Sequence, residues 1–164
     1  MSVERGIVVW VTSAQSGAAH EVAVQVAEAI AARELAVELL HADRPGLEAI
    51  GTPAGLAAVA ELLAGHGVHG VVAEAGSSRA MRGEYRRRIG RMIEVHVPAD
   101  KSATSWEAPA QAEVEVDAAS GAAGTARVLR TLELLGYLKE RDDVAYSPDE
   151  EREVIKRLKA FGYM

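Results

Sequence analysis

The chain has no cysteine. That excludes a disulfide framework, a thiolate nucleophile and a cysteine-ligated zinc. Aromatic residues make up only 4% of its 164 residues, so a core has to be built from Ala, Val, Leu and Ile. Basic residues are outnumbered: 18 Lys and Arg against 24 Asp and Glu give a formal net charge of −6. General nucleic-acid binding wants the opposite sign. No apolar run approaches the ~20 residues that span a bilayer. The N-terminus also lacks the basic segment followed by a long apolar one that marks a secretory signal. The expectation is a cytoplasmic protein without a membrane or nucleic-acid partner. A chain of this length fills one well-packed domain and is short for two.

What is present is an alternation. Strand-length apolar runs are expected at Ile7–Thr12, Ala36–Leu40, Gly70–Glu74, Met92–Val97 and Glu113–Val116. The first and third are nearly continuous in Val and Ile, as parallel strands covered on both faces require. Helical periods separate them, at about Ala18–Arg33, Pro53–Ala64, Ser78–Ile89 and Gly124–Leu135. In the first helix Val22, Val26 and Ile30 fall four apart, making one apolar stripe. Pro53 suits a first helical position, with Thr52 as its N-cap. The segments 41–51 and 98–111 read as loops. Strand and helix in turn spell a doubly wound α/β domain, three-layered, with a mostly parallel sheet and helices on both faces. It should occupy residues 1–140, and a charged helical extension should follow at 141–164.

The first strand runs into "TSAQSGAAHE", residues 12–21. A strand, a loop of small residues and a helix form the setting of a phosphate-binding P-loop, G-x-x-x-x-G-K-[ST]. There backbone N–H groups wrap the phosphates, the lysine reaches their outer oxygens and the hydroxyl holds Mg²⁺. Here the segment keeps one glycine, Gly17, and no lysine or metal-binding hydroxyl follows it. Glu21 in the first turns of the helix would compete with phosphate for the positive end of the helix dipole.

The wider sequence resembles the adenylylsulfate kinases (APS kinases). "GIVVWVT", residues 6–12, matches the strand leading into that family's P-loop, and "VELLHAD", residues 37–43, is similar to its V-x-x-L-D-G-D. "SSRAMRGEYRRRIGRMIEVHV", residues 77–97, resembles its S-P-Y-R-x-x-R-x-x-x-R and the strand after it. "WEAP", residues 106–109, and "LELLGYL", residues 132–138, resemble its Y-E-x-P and its C-terminal helix. The resemblance implies a P-loop kinase fold, a homodimer, and in an active member the MgATP-dependent phosphorylation of adenylylsulfate.

The departures from that pattern bear on chemistry. Ser13, Ser16 and Ala18 stand at the three P-loop glycines, Ala19 at the lysine and His20 at the metal-binding hydroxyl. Of D-G-D only Asp43 remains, a vestigial candidate for the family's catalytic carboxylate. The adenylylsulfate-binding stretch after it is largely deleted, and the lid motif is missing between Val97 and Trp106. Ser13, Ser16, Gly17, Ala19 and His20 are thus the vestige of a cofactor site, and neither a catalytic residue nor a resident cofactor is expected. ATP and Mg²⁺ would enter only if rebuilt contacts kept the enzyme active.

Other candidates have two readings each. Arg79, Arg82 and Arg86 lie near one helix face and could hold a phosphate or sulfate. They could equally form a solvated face, with Glu84 supporting Arg88 at i,i+4. His20 and His41 beside Asp43 suggest a zinc site, but they come from separate loops, and no metal is expected. "GHGVHG", residues 65–70, reads as a helix end turning into a strand, and Trp106 as a packing anchor or as a ring for stacking a base. The helix at Pro53–Ala64, with Leu56, Val59, Leu62 and Leu63, is the candidate dimer face. Finally, "VLRTLELLGYL" (128–138) is echoed by "VIKRLKAFGYM" (154–164), and "SPDE" (147–150) opens the second copy as a capping box. The tail should therefore be a docked helix, with Phe161 and Tyr163 as its anchors. The functional expectation is a non-catalytic APS-kinase-like domain with a structural, partner-binding or regulatory role in sulfur metabolism or biosynthesis. The alternatives are an active phosphotransferase and a sensor of a nucleotide or sulfated ligand.

Overall fold

The computed structural model describes residues 4–99, 106–109, 111–141 and 147–163. Five strands, β1 (Val8–Thr12), β2 (Val37–Leu40), β3 (His69–Glu74), β4 (Met92–His96) and β5 (Val114–Glu115), form one sheet in the order β2-β3-β1-β4-β5, with every pairing parallel. All residues of β1 and β3, the two central strands with the continuous apolar runs, are buried. Val9 and Val11 point to one core with Val71, Ile93 and Val95, whereas Val8 and Trp10 point to the other with Val72 and Met92. The period of two thus sorts one strand into two cores.

Helices α1 (Ser16–Ala31) and α4 (Ala122–Leu134) cover the first core; α2 (Pro53–Gly65) and α3 (Arg79–Ile89) cover the second. The α1 stripe Val22, Val26 and Ile30 is buried as its spacing requires. Thr52 caps α2 by accepting from the Gly55 N–H, with Pro53 at the first helical position. No helix is long and apolar enough to cross a membrane among the described residues. Boundaries fall within a few residues of expectation, and β5 is the shortest element. It meets β4 at only two rungs, because β4 stops at His96, just ahead of Pro98.

Two expectations change. Leu56 of α2 is fully buried in the protein's own core, and Val59 and Leu63 pack partly against it; of the four residues proposed as a dimer face only Leu62 points outward, 64% exposed. The period of an amphipathic helix cannot say whether its apolar side meets its own sheet or a second chain. Arg88 pairs with Glu61 of α2 at 2.6 Å instead of with Glu84, because α2 packs alongside α3.

The tail forms α5 (Pro148–Ala160) and docks on α4. Ser147 and Glu150 make the expected capping box. Val154 and Leu158 are buried, whereas Phe161 is half-buried. The echo with α4 is a shared helix ending. Gly136 and Gly162 take positive φ, and the N–H groups of Tyr137 and Tyr163 reach back to Leu132 and Leu158 carbonyls at 2.9 and 3.1 Å. Both are Schellman motifs, which only a left-handed residue closes cheaply. The expected junction near residue 140 adjoins 142–146, which lie outside the described residues.

The turn after α1 holds Glu34 at φ 61. A side chain in that region costs about 1–2 kcal/mol, which glycine avoids at some entropic expense. Glu34→Gly should raise the unfolding free energy by about 0.5–1 kcal/mol. A urea titration showing an unchanged or lower midpoint would refute this.

Candidate functional site

In an open parallel α/β sheet, ligands bind beyond the carboxyl ends of the strands, where the order of connections reverses. At that place, beyond β1, β2 and β3, lies a cleft of about 510 Å³. Ser16, Gly17 and His20 of α1, His41 and Asp43 after β2, and Glu74 at the end of β3 line it. The structure therefore gathers most of the vestigial set, drawn from segments far apart in sequence.

Three residues, Ser13 to Gln15, separate β1 from α1, so little backbone is left to wrap an anion. Ser13 is buried, and its Oγ accepts from the Gln15 N–H at 3.2 Å. Ala19 is already inside the helix. Its N–H donates to the Gln15 carbonyl at 3.2 Å, and its methyl group is fully buried in the α1 core. Residue 20, one step of about 100° further round the helix, is the one that faces the cleft.

The His20 and His41 rings meet edge to face, with centroids 4.6 Å apart. Burial holds the His41 imidazole below its ordinary pKa; the neighbouring His20 adds to this and Asp43 opposes it. Among the described residues no group of three His, Asp or Glu side chains is arranged to hold a metal ion.

Glu74 has no role in the sequence reading, yet its carboxylate organises the site. Oε1 accepts from the Trp10 indole N–H at 2.8 Å, from the Thr12 hydroxyl at 3.2 Å and from the Ser77 hydroxyl. Oε2 accepts from the Gly76 and Ser77 N–H groups at 2.7 and 2.8 Å. Five donors thus converge on this one carboxylate. The available signal was an acid closing an otherwise apolar strand just before "AGSS".

The arginines of α3 lie apart from this cleft. Arg82 is buried; it donates to the Ser77 and Glu107 carbonyls, lies 3.6 Å from Glu94, and stacks 5.4 Å from the Trp106 ring centroid. Trp106 also stacks on His96 at 5.8 Å, so its ring packs against the protein itself. Arg86 reaches Glu94 at 3.1 Å and makes a two-pronged pair with Glu113. Burial raises the Glu94 carboxyl pKa, against the pull of Arg86. Arg79 donates through Nε to the Ala108 carbonyl and through its backbone N–H to the Glu107 carboxylate at 3.1 Å; its guanidinium has no carboxylate in ion-pair range among the described residues. Glu94 and Glu113 are acids inside apolar strand segments, a pattern the sequence reading passes over. His69 opens β3 as expected and accepts the Ile7 N–H at 3.1 Å.

No protein-family model and no curated protein matches the sequence. Solved structures do. The crystal structure of APE1195 aligns over 82% of this chain and 97% of its own, with 21% identity and a TM-score of 0.63. A hexameric APS kinase from Thiobacillus denitrificans aligns over 84% of this chain at 20% identity and a TM-score of 0.61, the match spanning 31% of that larger chain. A mutant of the Mycobacterium tuberculosis APS kinase CysC aligns over 79% of this chain and 99% of its own, with 22% identity and a TM-score of 0.58. At such identities the likeness concerns the fold, which is the three-layer α/β fold of the P-loop kinases.

Proposed function

We propose that the chain is an APS-kinase-like domain that does not transfer phosphate and acts through binding, as a structural or regulatory partner. One observation carries this reading: among the described residues the cleft at the strand ends is lined by Asp43 and Glu74 and by no lysine or arginine. A nucleotide polyphosphate brings several negative charges, and a water-excluded site must meet them with cations or oriented donors. Here donors that could have met an anion, the Gly76 and Ser77 N–H groups, are spent on the protein's own Glu74. The lid expected between Val97 and Trp106 would fall partly on 100–105, outside the described residues.

The test is a thermal-shift screen with ATP, ADP, adenylylsulfate and its 3′-phosphorylated product, with and without Mg²⁺. A ligand at 100 times its dissociation constant would stabilise the fold by about 2.7 kcal/mol; no shift is expected from any of the four. Phosphorylation of adenylylsulfate should stay at background. Turnover that disappears in Asp43→Asn would overturn the proposal and restore the enzyme reading. The partner we propose is a second copy of the chain or a protein of sulfur metabolism or biosynthesis in the cytoplasm. Light scattering that reports a monomer at micromolar concentration would remove the homodimer.

A second reading, a ligand sensor without turnover, is favoured by Arg79. Arg82 and Arg86 are engaged by Glu94 and Glu113, whereas the guanidinium of Arg79, which faces the same cleft, has no carboxylate within ion-pair distance among the described residues.

A further inference from the structure

The cleft that Arg79 faces is a second one, of about 420 Å³, between α3 and the tip of the tail. On one wall Gly83 leaves the helix bare one turn after Arg79, and a Cβ built there would meet nothing within 4 Å. Opposite stand the rings of Phe161 and Tyr163, 6.4 Å apart and tilted 31°. The floor is electrically settled: Glu113 takes both prongs of Arg86 and the Tyr163 hydroxyl at 3.0 Å. Glu94 is set against Arg82 and Arg86, and Glu107 accepts the backbone N–H of Arg79 at 3.1 Å; among the described residues the guanidinium of Arg79 keeps only the Ala108 carbonyl as a partner and has no carboxylate within ion-pair distance.

We propose that this cleft is a binding site for a small aromatic monoanion, an aryl sulfate, phosphate ester or carboxylate. Its charged group pairs with Arg79, and its ring enters the slot between Gly83 and the Phe161–Tyr163 rings. Each part of that ligand answers a feature of the site. The guanidinium suits a planar or tetrahedral oxyanion, the aromatic wall suits a ring, and the missing side chain at 83 provides its space. A ring-free anion would leave the slot empty, and a neutral ring would leave Arg79 unpaired. The volume falls within the ~300–1,000 Å³ common for small-molecule sites. The C-terminal tail, which forms the slot's outer wall, thereby becomes part of a site, so ligand binding and tail docking support each other.

The proposal deepens the sensor reading and rests on it. It is independent of the strand-end cleft, which the ATP screen interrogates. The experiment is calorimetric titration of the full chain with 4-nitrophenyl sulfate, beside inorganic sulfate and 4-nitrobenzyl alcohol. Saturable binding of the ester is expected, at least tenfold tighter than either control. Arg79→Gln should weaken it at least tenfold, and Gly83→Leu, which fills the slot, should abolish it. Gly83→Leu replaces an exposed mid-helix glycine by a better helix former, so it should fold at least as well as the parent. Arg87→Gln, on an exposed position of the same helix, should bind as the parent does. Failure of the ester to bind would overturn the site, as would binding that inorganic sulfate matches or that survives both substitutions. A shift with ATP but none with the aryl ester would sink this proposal while leaving the fate of the strand-end cleft a separate matter.

Discussion

Arg130→Ala should lower the unfolding free energy by about 3 kcal/mol and release the C-terminal helix. Arg130 is 8% exposed and sits where α4, the chain after it and α5 converge. Its guanidinium meets Glu133 at 3.2 Å, Glu140 at 2.7 Å and Glu151. Glu133, whose side chain is fully buried, has a second cation in Arg33 at 2.7 Å. Among the described residues the cluster sets three carboxylates against two arginines, and against the desolvation that would lower it these carboxylates push the Arg130 pKa up. Among the described residues, removing Arg130 leaves these three acids with Arg33 as their cation. Glu140 and Glu151 are partly open to water, so the expected loss sits at the low end of what breaking a buried pair costs, about 3–5 kcal/mol. Glu151 then repels Glu133 and Glu140, and α5 loses its polar attachment at the end opposite Tyr163. An isolated helix of thirteen residues is marginal in water, so the amides of 154–161 should exchange with the solvent within seconds. A urea midpoint that moves by less than the equivalent of about 1 kcal/mol, with those amides still protected, would show that Val154 and Leu158 suffice to hold the helix.

The layers of this fold could be read from the sequence because they rest on periodicity. A run such as Ile7–Thr12 can only be buried on both faces, and Val22, Val26 and Ile30 can only form one stripe. Local chemistry was equally legible: Thr52, Ser147, Gly136 and Gly162 act through neighbours a few residues away. The charged sites were harder to see because their partners come from elsewhere. Arg86 is saturated by Glu113, twenty-seven residues on, and Arg82 by a carbonyl twenty-five residues on. Nothing in "SSRAMRGEYRRR" separates Arg79 from its two engaged neighbours. Glu74 was hidden for a related reason: its donors come from β1 and from the turn before α3, so its value as an acceptor exists only once β1 and β3 are paired. Alignment with a P-loop located the helix start but not its rotation, which is why residue 19 stood for the lysine although residue 20 faces the cleft.

That rotation sets the second large effect. Ala19→Lys, the substitution that would restore the P-loop lysine, should destabilise the protein by about 4 kcal/mol, through overpacking and through an ammonium group without a buried partner. Ala19 is fully buried among Val11, Val22 and Ala23, with its N–H already committed to Gln15. A lysine there must neutralise or force its way past α1, so its pKa in the folded state falls below the ~10.4 of the unfolded chain. The sign of the pH dependence follows. Between the depressed folded pKa and ~10.4 the unfolded state binds more protons, so the variant's stability rises with pH across that window. Its deficit against the parent should therefore shrink between pH 7 and pH 10. His20→Lys is the contrasting change, because residue 20 is half-exposed and lines the cleft; it should fold with a loss below about 1 kcal/mol. Neither variant should phosphorylate adenylylsulfate, since the remaining donors stay bound to Glu74. Paired urea titrations at the two pH values decide the matter. Equal stability of Ala19→Lys and the parent, or a deficit that does not change with pH, would mean that the ammonium reaches water and that α1 leaves the site open to a lysine after all.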